Sequence, residues 1–537
     1  MNRTRTLFFV IVGLAIVAVL AGVVFNSVTG RPVNPPAPTL VPTDAPPAAN
    51  ATLLPADVKS PPPLFGPGIN TSDGKPTYIC GTDAFASYLT LALVQTQKLD
   101  VANGFHLGIV PLQLTNKPEY ALSSDQSNAL ITNGKWDCLL DTADSTSITG
   151  YGAITAIVDE SAGGDGMYAH NIATLNDLKG KRIGFVSDSS AAYYVYYVLS
   201  VARLNPKFDV TLMPYDTPDA AVAAFNDGKL DAVSAWDPQL SRASKTGTPL
   251  ITTKQLRLVL DTLATSKKAI AERPQVVQAF HTAWFAALKF AVENPDLAGQ
   301  QLVSWGNNDW TDVHKPGDLS AQLQRIAQAD LSANTFVMRD PTPIYNRMTI
   351  ARRVWASAGK QSTTDKVEDL VDPRFVLQAA QNSALKSNAR PTNDTFSIGA
   401  KFDISGAAKA EDAATLAVLP CRRFTFLPES TTLTLESRRI LDDCVVPTLQ
   451  QSVGLFLKVK GSSAWPGPKG TFTKDQILEF SKARAQSVVD YLASLGVDRA
   501  RFLVDATLPP QEHWETEDAD KQAEDRFVEM TLVTVGR

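Results

Sequence analysis

The sequence predicts an α/β fold with mostly parallel sheets, followed by a smaller α+β domain and preceded by an apolar N-terminal helix. Three observations carry this. From Pro76 onward strand-like runs alternate with helix-like ones, the signature of strands joined by crossover helices. From about Cys421 the order changes to strand, helix, strand, helix, strand, strand. Finally, Leu7–Phe25 (LFFVIVGLAIVAVLAGVVF) is uncharged and apolar, close to the ~20 residues that a spanning helix needs.

A chain of 537 residues is too long for one hydrophobic core, so several domains are expected. Hydrophobic residues make up 44% and charged residues 20%, with a net charge of -5. That is globular composition without the basic excess that attracts nucleic acid or an anionic membrane surface.

Arg3 and Arg5 precede the apolar run and, by the positive-inside rule, hold that end in the cytoplasm, so the body is expected outside it. Residues 1–29 are therefore read as a single-pass membrane anchor whose membrane contact is residues 7–25. A cleaved signal peptide is the competing reading, because Val19-Leu20-Ala21 offers small residues for processing. The segment 30–75 is dense in proline and is expected to be an extended, semi-rigid spacer. The four cysteines fall as Cys80 and Cys138, then Cys421 and Cys444. In an exported chain an even count permits disulfides in those pairs. For Cys80 and Cys138, each inside an apolar run, buried free thiols are an equal alternative.

Within residues 76–390 the expected strands are YIC, DCLL, ITAIVD, RIGFVS, DVTLMPY and DAVSAW, with a helix at Ala84–Gln97. Ligands of such sheets bind beyond the carboxyl ends of the strands. Those ends carry Gly81-Thr82-Asp83-Ala84-Phe85, Asp141-Thr142-Ala143-Asp144-Ser145, Ser187-Asp188-Ser189-Ser190 and Trp236-Asp237-Pro238. Each loop could simply cap a helix, but four of similar chemistry point to one shared crevice. Carboxylates at Asp83, Asp141, Asp144, Asp188 and Asp237 repel a bare anion. Tyr193, Tyr194, Tyr196, Tyr197 and Trp236 could offer faces to a cation or flat ring. An amine-bearing or heterocyclic ligand is thus expected over a simple oxyanion, although the tyrosines could equally face the core. The five histidines have no metal-ligand spacing, and no P-loop, G-x-S-x-G or dinucleotide fingerprint is present. No cofactor, no metal and no enzymatic activity are expected. His281, in AFHTAWFAALKF, reads as a helix-packing residue.

The segments TLNDLKGKRIGFVSDSS, DAAVAAFNDGKLDAVSAWDP and RPQVVQAFHTAWFAALKFAVENPDLA together resemble the nitrate/sulfonate/taurine group of periplasmic substrate-binding proteins over about Pro76–Trp305. The resemblance implies a two-lobed periplasmic-binding fold of type II that closes over a small molecule and serves an ABC permease. Asp83, Ala84, Phe85, Ser189, Ser190, Ala191, Trp236 and Asp237 would border its cleft. With the strand-end reading, the expected ligand contacts are Asp83, Ala84, Phe85, Asp141, Ser187, Ser189, Ser190, Trp236 and Asp237. Residues 391–420 read as a connector with one strand, FSIGAKFDI.

In residues 421–537, FSKARAQSVVDYLASLGVDRARF and DRFVEMTLV resemble the OmpA-like, peptidoglycan-associating domain. The family's arginine falls at Arg484, implying peptidoglycan contact there, whereas Ala464 stands where its aspartate is expected and Arg526 is followed by Phe527. The whole reads as a membrane-anchored, extracytoplasmic solute-binding protein for uptake or sensing, with an OmpA-like domain for wall or protein contact. The alternative is a structural envelope protein with a degenerate ligand site.

Overall fold

The computed structural model describes residues 60–113, 122–305, 311, 313–387, 413–452 and 455–535. The proposed anchor, most of the proline-rich spacer, the connector strand FSIGAKFDI and most of the loop after Trp305 lie outside them. Among the described residues no helix is long and apolar enough to cross a membrane.

Two mixed sheets form the first part. The six strands of lobe 1 are β1 (Thr77–Thr82), β2 (His106–Pro111), β3 (Cys138–Thr142), β4 (Ala153–Ser161), β10 (Leu260–Thr265) and β11 (Ile326–Gln328), in spatial order β11-β4-β10-β3-β1-β2. The five strands of lobe 2 are β5 (Asp165–Ala169), β6 (Arg182–Val186), β7 (Thr211–Tyr215), β8 (Ala232–Trp236) and β9 (Thr248–Thr252), in order β7-β6-β8-β5-β9. All six expected strands exist, but the sheets are less parallel than expected. β10 runs antiparallel to β3 and β4, and β5 runs antiparallel to β8 and β9. The reason is connectivity: the chain leaves lobe 1 after β4 and returns after β9, so the first strand after each crossing enters reversed. The expected helix at Ala84–Gln97 is a 3-10 turn, Ala86–Leu89, continued by Thr90–Thr96.

The two crossings are laced together. Ser161 Oγ and Thr253 Oγ1 lie 2.8 Å apart, and Gly163 N donates to Thr253 Oγ1 at 2.8 Å. Beside them Glu160, fully buried, pairs with Arg347 and, at 3.8 Å, with Arg257. A buried carboxylate needs such partners. At the end of the proline-rich segment Leu64 exchanges backbone hydrogen bonds of 2.7 and 2.9 Å with Ile109, satisfying part of the free edge of β2.

Four helices dominate the packing: α1 (Ser190–Ala202), α2 (Pro274–Glu293), α3 (Thr342–Ser357) and α4 (Lys474–Ser494). Helix α2 buries Phe280 against Tyr78, their ring centroids 4.5 Å apart. Its His281 is fully buried, with Nδ1 2.8 Å from Val277 O, a packing role.

The C-terminal sheet contains β12 (Ala413–Thr425), β13 (Phe456–Ser462), β14 (Phe502–Thr507) and β15 (Phe527–Val535), in order β12-β15-β13-β14. It begins inside the segment read as a connector. The first helix expected after Cys421 is Leu435–Ile440, a wider π turn at Leu441–Val445, and Val446–Gln451. Disulfides join Cys80 to Cys138, opposite each other on β1 and β3, and Cys421 to Cys444. This domain docks on lobe 2. Leu416, Ala417 and Leu419 share one apolar cluster with Val195, Val198 and Val201 of α1, and Val418 N donates to Asn176 Oδ1 at 2.9 Å.

Helix α4 crosses β13 at Gly461, where a Cβ would stand 1.9 Å from the Ser481 carbonyl oxygen. Only glycine permits that approach. Gly461→Ala is expected to destabilise the C-terminal domain by ~3 kcal/mol or more, read as a lowered calorimetric transition. Gly317→Ala, where a Cβ meets open space, should leave the melt unchanged.

Candidate functional site

A cleft of about 380 Å³ lies between the two sheets. The carboxyl ends of parallel strands build most of it: Asp83 follows β1, Asp141 and Thr142 end β3, Val186 ends β6 and Ser187–Ser190 follow it, Tyr215–Thr217 close β7 and Trp236 ends β8. The reversed strands present their amino ends at the same edge, adding Asp261 from β10 and Asp165 from β5. Leu122–Ser127 cover one side. The cleft is therefore the meeting of two sheet edges, as crevice binding requires.

Of the sequence-derived residues, Asp83, Phe85, Asp141, Ser187, Ser189, Ser190 and Trp236 line this one cavity. Ala84 and Asp237 do not. Ala84 N donates to Asp83 Oδ1 at 2.7 Å, which orients that carboxylate. Asp237 turns away to Ser241 Oγ at 2.7 Å and to Arg325 at 2.6 Å. Asp144 is also absent from the wall; it is buried and accepts from Trp355 Nε1 at 3.1 Å. The α1 tyrosines likewise leave the site. Tyr193, Tyr194 and Tyr197 are buried in lobe 2, and Tyr196 packs beside Trp355. Phe85, Tyr88, Tyr215 and Trp236 supply the aromatic faces.

Tyr88, Asp165, Tyr215 and Asp261 were missed by sequence reasoning. For Asp261 and Asp165 a signal existed, a carboxylate at the head of an apolar run in LDTLAT and DGMYA. A strand that enters reversed brings such a carboxylate, at its amino end, to the cleft edge.

The electrostatics are one-sided. Asp83, Asp141 and Asp261 from lobe 1, Asp165, Asp188 and Asp216 from lobe 2, and Asp125 from the first turn of the covering helix Ser124–Thr132 all line the cleft. Among the described residues no lysine, arginine or histidine does. Lys360 reaches Asp188 from outside the wall. Burial pushes the Asp83 and Asp141 carboxyls up; burial pushes Asp165 to about 6 and Asp144 and Asp159 to about 7. Asp261 rises well above the carboxylate range, through burial first and then the neighbouring Asp159. Ser190 Oγ donates to Asp165 Oδ1 at 3.1 Å, so a carboxylate already occupies the start of α1, where an oxyanion would otherwise sit. Among the described residues no group of histidine, cysteine or acidic side chains is arranged to hold a metal ion.

In the C-terminal domain, Arg484 is 1% exposed. Its guanidinium donates to the carbonyls of Ser430, Ser462 and Leu427 at 3.0, 3.0 and 3.3 Å, tying loops to the helix. Ala464 is buried beside Trp465.

A sequence-family profile described as "NMT1: NMT1/THI5 like" matches residues 153–298. Among solved structures the chain is similar to the alkanesulfonate-binding protein SsuA from Xanthomonas axonopodis pv. citri bound to MOPS, at 17% identity over 56% of this chain and 99% of that one, TM-score 0.43. It is also similar to the periplasmic nitrate-binding protein NrtA from Synechocystis PCC 6803, at 14% identity over 60% and 93%, TM-score 0.44. A third similar structure is the desulfurization enzyme DszB, at 14% identity over 57% and 99%, TM-score 0.39. No curated protein matches the chain.

The raised acids imply a pH dependence of stability. A carboxyl whose folded pKa exceeds its unfolded value stabilises the fold below the unfolded pKa, and that contribution is lost as pH rises through the folded pKa. Buried His281, lowered to about 4, acts oppositely, adding stability as pH rises from 4 to its unfolded value near 6.5. The ligand-free protein should therefore melt at progressively lower temperature as pH rises from about 4 to about 7, between the unfolded carboxyl value and the folded values of Asp165, Asp144 and Asp159, with three acids outweighing the one histidine, and the slope should level off above that range. Asp165→Asn should flatten that slope.

Proposed function

We propose that this protein is an extracytoplasmic solute-binding protein whose two lobes close over a small organic cation, an amine-bearing or cationic heterocyclic molecule, for ABC-type uptake or sensing. The carrying observation is the cleft wall: seven aspartates, four aromatic rings and, among the described residues, no basic side chain. In a partly dehydrated cleft such a wall favours a cation through charge pairing and ring faces, and rejects an anion. The profile match over residues 153–298 and the double crossing between lobes support the binding-protein reading. Closure would be driven by contacts that the ligand makes with both edges at once.

The apolar run at residues 7–25 supports a membrane anchor, and the C-terminal domain is the surface proposed for contact with the wall or a neighbouring protein. Arg484 is not offered for that contact, because its donors are spent on backbone carbonyls.

Thermal stabilisation of the full chain by butylammonium, spermidine, aminopyrimidines, alkanesulfonates and nitrate is the test. Amines should raise the melting temperature and the anions should not. Asp83→Asn should weaken amine affinity about tenfold or more, corresponding to ~1.4 kcal/mol. Stabilisation by sulfonate or nitrate alone would overturn the cation assignment. Silence across the whole panel would favour the structural envelope alternative.

A further inference from the structure

Beneath the cleft lies an arrangement that binding alone does not explain. Asp159 on β4 and Asp261 on β10 stand directly opposite each other in the antiparallel register, which places their side chains on one face at van der Waals range. Both are buried, Asp159 fully and Asp261 at 3% exposure, yet only Asp261 reaches the cavity. One oxygen of each has a donor: Ser87 Oγ donates to Asp159 Oδ2, and Tyr88 OH donates to Asp261 Oδ1. The other two, Asp159 Oδ1 and Asp261 Oδ2, are buried without a hydrogen-bond partner.

Two carboxylates so placed cannot both be ionised in the absence of a cation; they hold a proton between them. The surrounding groups reinforce this. Asp165 on β5 adds negative charge to both, Gln328 on β11 is opposite Asp159, and Ser87 and Tyr88 are neutral. Glu160, the next residue on β4, is already matched by Arg347 and Arg257. No basic side chain is hydrogen-bonded to either carboxyl among the described residues.

We propose that the cleft exchanges an organic cation for the proton shared by Asp159 and Asp261, so that binding is coupled to proton release. This rests on the cationic-ligand reading above. The balance is simple: the cation enters with its charge, the shared proton leaves to solvent, and the site's net charge is unchanged. No covalent step is involved. A cation held beside Asp261 supplies the countercharge that the proton had supplied, and both carboxyls then ionise.

Isothermal titration of the full chain with butylammonium tests this. Its pKa is near that of lysine, ~10.4, so its own charge is constant between about pH 5 and 8. Titrations near pH 6.5 in buffers of different ionisation enthalpy count the protons. The expected result is about one proton released per cation bound, with affinity rising as much as tenfold per pH unit. Asp159→Asn keeps the shape and gives Asp261 a permanent N–H donor, so release should fall to less than half and the affinity should become flat with pH. Asp261→Asn, checked for native circular dichroism, should also abolish release. Butylammonium binding with no proton exchange and a flat profile in the native protein would overturn the proposal, as would full release from both variants. If neither butylammonium nor tetramethylammonium binds even near pH 8, the cation reading itself fails and the exchange fails with it.

Discussion

The constraint on which the rest of this structure depends is the burial of acid groups where two sheet edges meet. Carboxylates removed from water must be paired, hydrogen-bonded or protonated. Lobe 1 and lobe 2 use all three solutions within a short distance. Glu160 is paired with arginines at the crossing, Asp144 accepts from an indole, and Asp159 and Asp261, opposite each other in the register, are pushed up by burial toward the protonated form. Pairing sits at the hinge, where geometry has to be kept. The unpaired acids sit at the cleft, where a counter-ion can come and go.

That division accounts for which loops carry the chemistry. The reversed strands β5 and β10 each follow a crossing, so the residues that begin them, Asp165 and Asp261, stand next to the hinge and on the cleft wall at once. Relative movement of the lobes therefore changes the surroundings of the acids directly. Under the proposed cationic ligand, a charge bridging the two edges would gain most when those acids converge, which is the differential contact that any closing equilibrium requires.

Much of this was legible in the sequence. The strand-end loops at Asp83, Asp141 and Ser187–Ser190 were readable because parallel strands announce their carboxyl ends with small and acidic residues. Asp237 and Asp144 were misplaced because a carboxylate just past a strand end can turn inward as easily as outward, and the choice rests on partners far along the chain, Arg325 and Trp355. The aromatic helix α1 misled for a related reason: Tyr193 and Tyr196 pack against Trp355, far along the chain. Asp165 and Asp261 escaped notice because the direction of their strands follows from the double crossing, a topological property that local pattern does not encode. The C-terminal elements were the most readable, since a long amphipathic helix and alternating strands depend on local periodicity.

The attachment points of the chain carry a mechanical consequence. The segment after Ser60 enters through lobe 1, bridged by Leu64 to the edge of β2, whereas the C-terminal sheet is fastened to lobe 2 through Asn176 and the rear of α1. Tension drawn between residue 60 and residue 535 is thus borne across the jaws of the cleft rather than within either lobe. If the lobes close over a ligand as proposed, pulling the two attachments apart does work on that same coordinate, and load and occupancy become conjugate variables of one molecule.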